Sequence, residues 1–166
     1  MAITRRGEDQ ESTKRFTPEQ AYQRIGKYCA YQERSHKEVR NKLFSYGLYP
    51  SEVEQALTRL ITDGFLNEER FAKAFAGGKF RMKKWGRNKI VHALKAHGVT
   101  PKCIQRGLGE IDSPAYTKTL KALLKSKMSK AIGEDAFKIK HQAARFAIGK
   151  GYEPDLVWTL IREMED

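Results

Sequence analysis

The sequence predicts an all-α protein of three tandem three-helix repeats in an extended, curved arrangement. Three observations predict the repeats: one register of glycine, proline and apolar residues used three times, a helix-start signal ahead of each copy, and no segment alternating with period two. Gly47, Gly98 and Gly151 serve as origins. Pro50, Pro101 and Pro154 lie three residues on, and Val53, Ile104 and Val157 lie six on. Leu57, Leu108 and Ile161 follow at ten, and Leu60, Ile111 and Met164 at thirteen. Leu43, Leu94 and Ala147 stand four before the glycines, and Val39, Ile90 and Ala143 eight before. Seven positions thus recur at spacings of 51 and 53 residues.

Each position carries a physical meaning. Apolar residues eight and four before the glycine stack on one helical face, because four residues advance about 400° around the axis. The glycine sits where that helix ends, in the left-handed conformation that glycine adopts without strain. The proline fits the first turn of the next helix, where its missing N–H costs nothing. Thr100-Pro101 makes a good cap pair; Tyr49-Pro50 and Glu153-Pro154 are weaker, and Ser51 is an alternative cap in the first copy. A further helix precedes each pair. Thr17-Pro18-Glu19-Gln20 is a capping box opening a helix through Ala21, Ile25 and Tyr28. Asn67-Glu68-Glu69 opens a second, through Phe71, Phe75 and Ala76, and Ser113-Pro114 a third, through Tyr116, Leu120 and Leu124. Ser35-x-x-Glu38 starts the middle helix of the first copy. Gly77-Gly78 falls inside a predicted helix and is expected to kink it or to move its boundary. The predicted divisions are a flexible tail over 1–16 and repeats over 17–66, 67–111 and 112–166.

Composition sets the class. A hydrophobic fraction of 40% supports a core, and no apolar run approaches the length of a membrane span. The first residues mix both charge signs, unlike a secretion signal. Two distant cysteines, Cys29 and Cys103, read as unpaired thiols of a reducing compartment, which predicts a cytoplasmic protein.

The net charge of +12 is unevenly distributed. Residues 1–16 and 17–66 each carry +1, 112–166 carry +2, and 67–111 carry +8. A one-sided segment of this kind destabilises the fold unless an anionic partner offsets it. Lys79, Arg81, Lys83, Lys84, Arg87 and Lys89 crowd eleven positions there and form the candidate partner and nucleic-acid-binding group. Phe80 among them reads as core. Trp85 reads either as core or as a stacking surface. Lys118, Lys121 and Lys125, with Lys127 and Lys130 beside them, form a secondary basic patch that reads first as an ordinary polar helix face and second as an extension of the main group. Ser35 and Glu38 read as capping residues, and Gly64 and Gly86 as turn positions.

Three stretches carry a family resemblance: Arg34-Ser35-His36-Lys37-Glu38-Val39-Arg40-Asn41-Lys42-Leu43, Leu60 through Ala72 (LITDGFLNEERFA), and Trp85-Gly86-Arg87-Asn88-Lys89-Ile90 running on to Gly98-Val99. They resemble the RecX proteins over residues 21 to about 111; the last third matches by repeat logic. Asn67 stands where an aspartate is common in that family, and both residues cap helices. The resemblance implies a curved array of three-helix repeats that lies on the RecA–DNA filament as a monomer, binds single- and double-stranded DNA more weakly, and restrains RecA ATP hydrolysis and strand exchange in recombination, repair and the SOS response.

Catalytic classes find no support in the sequence. His36, His92, His97 and His141 have no metal-ligand spacing, and neither a phosphate-binding loop, a dinucleotide fingerprint nor a serine elbow is present. The reading is therefore a non-enzymatic regulator without metal or cofactor. A stand-alone helix-turn-helix DNA-binding regulator is the alternative, and a helical adaptor for an acidic protein is a third.

Overall fold

The computed structural model describes residues 15–131 and 133–166. Most of the predicted tail lies outside them. Among the described residues there are nine helices and no strand: α1 (Pro18–Tyr31), α2 (His36–Ser45), α3 (Pro50–Thr62), α4 (Glu68–Lys83), α5 (Arg87–Ala96), α6 (Pro101–Leu108), α7 (Ser113–Ser129), α8 (Ala136–Gly149) and α9 (Pro154–Glu163). They form three successive groups of three.

The caps act as local chemistry dictates. Thr17 and Gln20 form a reciprocal box: Gln20 N–H donates to Thr17 Oγ1 at 3.2 Å and Thr17 N–H to Gln20 Oε1 at 3.1 Å. Asn67 Oδ1 accepts from Arg70 N–H at 2.8 Å, and Asp112, one residue before the expected Ser113, accepts from Ala115 N–H at 2.9 Å. Two expected caps differ. Ser51 does not take over α3; Tyr49 N–H instead donates to Glu52 Oε1 at 2.9 Å. The Thr100 hydroxyl turns away from its own helix to Glu68 of α4. Gly77-Gly78 does not end α4, which runs on to Lys83.

The three origin glycines are left-handed, with φ of 84°, 76° and 103° at Gly47, Gly98 and Gly151. The second and third copies close with full Schellman pairs: Gly98 N–H reaches Lys95 O and Val99 N–H reaches Leu94 O, while Gly151 N–H reaches Ile148 O and Tyr152 N–H reaches Ala147 O. The residue after each glycine, Leu48, Val99 or Tyr152, is buried in consequence.

All the repeat's apolar positions face inward, with only Leu108 and Met164 half-exposed. Each fully buried Leu, Ile or Val contributes roughly 1.5–3 kcal/mol. Those residues form two cores. One lies within the first repeat, around Ala21, Ile25, Val39, Leu43, Val53, Leu57 and Leu60. The other runs through the second and third repeats together, from Phe71 and Phe80 through Ile90 and Leu94 to Tyr116, Leu120, Ala143 and Val157. In that larger core α6 lies close against α4, where a Cβ on Gly107 would stand 2.8 Å from the Ala72 carbonyl oxygen.

The joints between repeats differ accordingly. Between the second and third, backbone meets backbone: Gly86 N–H donates to Lys150 O at 2.8 Å and Asn88 N–H to Gly151 O at 2.9 Å. The Tyr116 hydroxyl accepts from Arg87 N–H and donates to Glu153, while the Tyr152 hydroxyl donates to Lys84 O at 2.9 Å. Burial pushes Tyr116 well above the ordinary phenol range, and Tyr152 up to about 12, so both keep their protons. Between the first and second repeats the contacts are polar. His97 Nδ1 lies 3.2 Å from Glu38 Oε1 and 3.3 Å from Ser35 Oγ, Lys37 Nζ donates to Ala96 O, and Arg70 pairs with Glu33 at 2.6 Å. Ser35 is thus a cap and a joint residue at once.

Candidate partner and nucleic-acid interface

The first repeat pairs part of its cations internally. Arg15 pairs with Glu52, Arg34 with Glu38, Arg40 with Glu54, and Arg59 with Glu19 and Asp63. Aromatic rings hold several of the same groups: the guanidinium carbons of Arg34, Arg59 and Arg15 sit 3.7, 3.6 and 3.9 Å from the ring centres of Tyr28, Tyr22 and Tyr49. The repeat's other cations, Arg24, Lys27, Lys37 and Lys42, have no carboxylate in ion-pair range among the described residues and are spread over α1 and α2.

The second repeat is different. Arg81, Lys83, Lys84 and Lys89 are exposed, and among the described residues none has a carboxylate within ion-pair distance. Helix α4 delivers Arg81 and Lys83 on its last turn. Lys84 ends the helix in the left-handed conformation at φ 56°, the only non-glycine residue with positive φ among those described. Its chain then turns through Trp85 and Gly86 into α5, which carries Lys89 on its first turn. Four unneutralised cations thus crowd a single tight turn.

Trp85 stands between Lys89 of that set and Lys79. The Lys79 ammonium lies 5.1 Å and the Lys89 ammonium 4.6 Å from its ring centre, and Phe75 meets it edge-on at 6.4 Å. The ring is half-buried against the larger core, and Phe80 is 8% exposed, a core residue as its position in the helix implied. Trp85 is therefore a half-buried core residue whose ring carries two ammoniums.

Arg87 stands apart from the other members of its group. Its Nη1 donates to Glu153 at 3.0 Å, its guanidinium carbon covers the Tyr116 ring at 3.9 Å, and its N–H bonds the Tyr116 hydroxyl. It fastens the second repeat to the third. Linear proximity placed it among the surface cations, although its partner lies 66 residues away. The secondary group falls on one face of α7: Lys118 and Lys125 are exposed and Lys121 is half-exposed, beside a shallow groove bounded by Ser113, Pro114 and Thr117. Residues missed from sequence are Glu153, Tyr116 and Lys150, whose side chains set the turn that displays the cations; Lys150 Nζ donates to Lys83 O at 3.0 Å. Each reads from sequence as an unremarkable helix or cap residue.

Neither cysteine is paired, and burial pushes the Cys29 thiol up to about 11, which keeps it protonated. Among the described residues no His, Cys, Asp and Glu cluster suited to a metal ion occurs, and no helix is long and apolar enough to cross a membrane.

The fold and site define a class: a tandem three-helix-repeat protein whose middle repeat displays uncompensated cations on a rigid turn. Profiles described as the first and second three-helix domains of RecX match residues 21–60 and 67–108. The regulatory protein RecX of Clostridium perfringens (strain SM101 / Type A) is 31% identical over 133 residues, 79% of this chain and 62% of that protein. That of Prosthecochloris aestuarii is 33% identical over 88 residues, 53% of this chain and 58% of that one. The crystal structure of RecX from Lactobacillus salivarius superposes with a TM-score of 0.82 at 18% identity, covering 89% of this chain and 96% of that one. A second crystal structure of regulatory protein RecX gives 0.79 at 16% identity, over 87% and 71% of the two chains. The chain belongs to the RecX family of regulatory proteins. It spans about three-fifths of the length of the Clostridium relative.

Proposed function

We propose that this chain binds the RecA–DNA filament and restrains RecA ATP hydrolysis and strand exchange, acting in the cytoplasm without chemistry of its own. One observation carries the proposal: Arg81, Lys83, Lys84 and Lys89 stay unneutralised within nine residues of one another, on a turn that hydrogen bonds from the third repeat brace. A preorganised set of cations binds a polyanion without the cost of ordering it at the moment of contact. Membership in a family of regulatory proteins supports the same reading, and a RecA–DNA filament supplies both phosphate and protein surface.

The experiment compares fluorescence anisotropy on naked single-stranded DNA and on the same DNA coated with RecA. Binding to the coated DNA should be the tighter. Naked-DNA affinity should fall by roughly 50-fold from 50 to 200 mM salt if about four phosphates are contacted. Equal affinity for coated and naked DNA would instead favour a stand-alone DNA-binding protein.

A further inference from the structure

The three copies can be compared position by position, and the comparison exposes a surface on the third. Count back from the origin glycine. Fourteen residues before it stand Glu33, Lys84 and Phe137; ten before it stand Lys37, Asn88 and His141. In the first two copies both positions touch the following repeat. Glu33 accepts from Arg70, and Lys37 Nζ donates to Ala96 O at 3.0 Å. Lys84 O accepts from Tyr152, and Asn88 N–H donates to Gly151 O at 2.9 Å. These positions are the repeat's own docking edge.

In the third copy the edge is rebuilt. Helix α8 begins at Ala136, about one turn earlier in the register than α2 and α5, so Phe137 and His141 lie within it one above the other. Phe137 is 66% exposed. Its ring centre lies 4.2 Å from that of His141, which lies 4.8 Å from that of Trp158 on α9. Lys138 and Arg145 are exposed beside this aromatic tier, with no carboxylate in ion-pair range among the described residues, whereas Lys140 is paired with Glu165. Glu134 and Asp135, the latter the cap of α8, lie just before the tier.

A second copy of the chain is poorly suited to cover this edge. Its complementary element would be the turn at Tyr46-Gly47, and that turn is already closed: Phe16 N–H donates to Tyr46 O at 3.0 Å and the Arg15 side chain lies against Gly47. Arg15 and Phe16, assigned to the tail by sequence, are held there as a lid on the first turn.

We propose that the Phe137–His141–Trp158 tier is a docking surface for a helix–turn element of a different protein, one offering an apolar side chain flanked by a carboxylate. Continuity with the two internal joints favours a protein occupant over a nucleobase. The inference rests on the filament reading above and assigns the contact to the filament's protein component.

The test uses the full chain carrying Phe137→Asp or His141→Glu, both at exposed sites, with unchanged circular dichroism as the check of folding. Affinity for RecA-coated single-stranded DNA should fall about tenfold in each, while affinity for naked single-stranded DNA stays that of the wild type. Three outcomes overturn the inference alone: filament binding unaltered in both variants, an equal loss on naked DNA, or wild-type self-association that Phe137→Asp abolishes. A wild-type chain that fails to bind the coated DNA overturns the proposed function as well.

Discussion

Gly86→Ala is expected to break the joint between the second and third repeats and to lower the melting temperature by about 6–12 °C. A Cβ on Gly86 would stand 2.2 Å from the Gly151 carbonyl carbon and 2.3 Å from Tyr152 N. Both are backbone atoms in a turn that Gly151 holds at φ 103°, so neither can swing aside as a side-chain end would. Relieving the overlap means separating the two chains and losing the hydrogen bonds from Gly86 and Asn88. The larger core, which Tyr116 and Tyr152 line, would then open as well. Overpacking of this kind costs about 3 kcal/mol, and each kcal/mol moves the midpoint of a chain this size by roughly 2–4 °C. Thermal unfolding followed by circular dichroism measures it. Gly78→Ala is the control: nothing lies within 4 Å of its added Cβ, and helix propensity there favours alanine by about 1 kcal/mol. An unchanged midpoint for Gly86→Ala would mean that the two backbones do not meet.

The second large effect concerns the exposed cations. Reversing Arg81, Lys83, Lys84 and Lys89 to glutamate together should weaken binding to RecA-coated DNA by more than about 100-fold at low salt and flatten the salt dependence by about three in slope. All four side chains are exposed, and none is in an ion pair among the described residues, so helix content should hold. Arg87 is left out of this set by design. Its removal leaves Glu153 and the Tyr116 ring without their cation, so Arg87→Ala is a variant of the joint rather than of the surface.

Much of the fold was legible because its signals are local. A glycine, a proline three residues on and apolar residues at helical spacing specify a helix–turn–helix without reference to anything distant, and every copy repeats them. The Schellman closures at Gly98 and Gly151 follow from that pattern. What the sequence conceals is contact across 30 residues or more. Gly86 looks like a turn glycine, whereas its hydrogen remains because Gly151 and Tyr152 occupy the space a side chain would take. Thr100 looks like a cap, but its hydroxyl and N–H both serve Glu68. The repeat pattern does not say how the cores divide; the packing of Tyr116 and Tyr152 against the second repeat shows that the second and third repeats share one. The cation cluster was legible in outline, since charge is counted along the chain. Its membership was not, because an ion pair such as Arg87 with Glu153 depends on the fold.

The most direct measurement is a titration of this protein into RecA hydrolysing ATP on single-stranded DNA, run in parallel with the Arg81, Lys83, Lys84 and Lys89 reversal. Hydrolysis should fall with increasing wild-type protein and stay near its starting rate with the variant. Hydrolysis and strand exchange that ignore the wild type, or a folded variant that inhibits equally well, would contradict the role assigned to the cations of the second repeat.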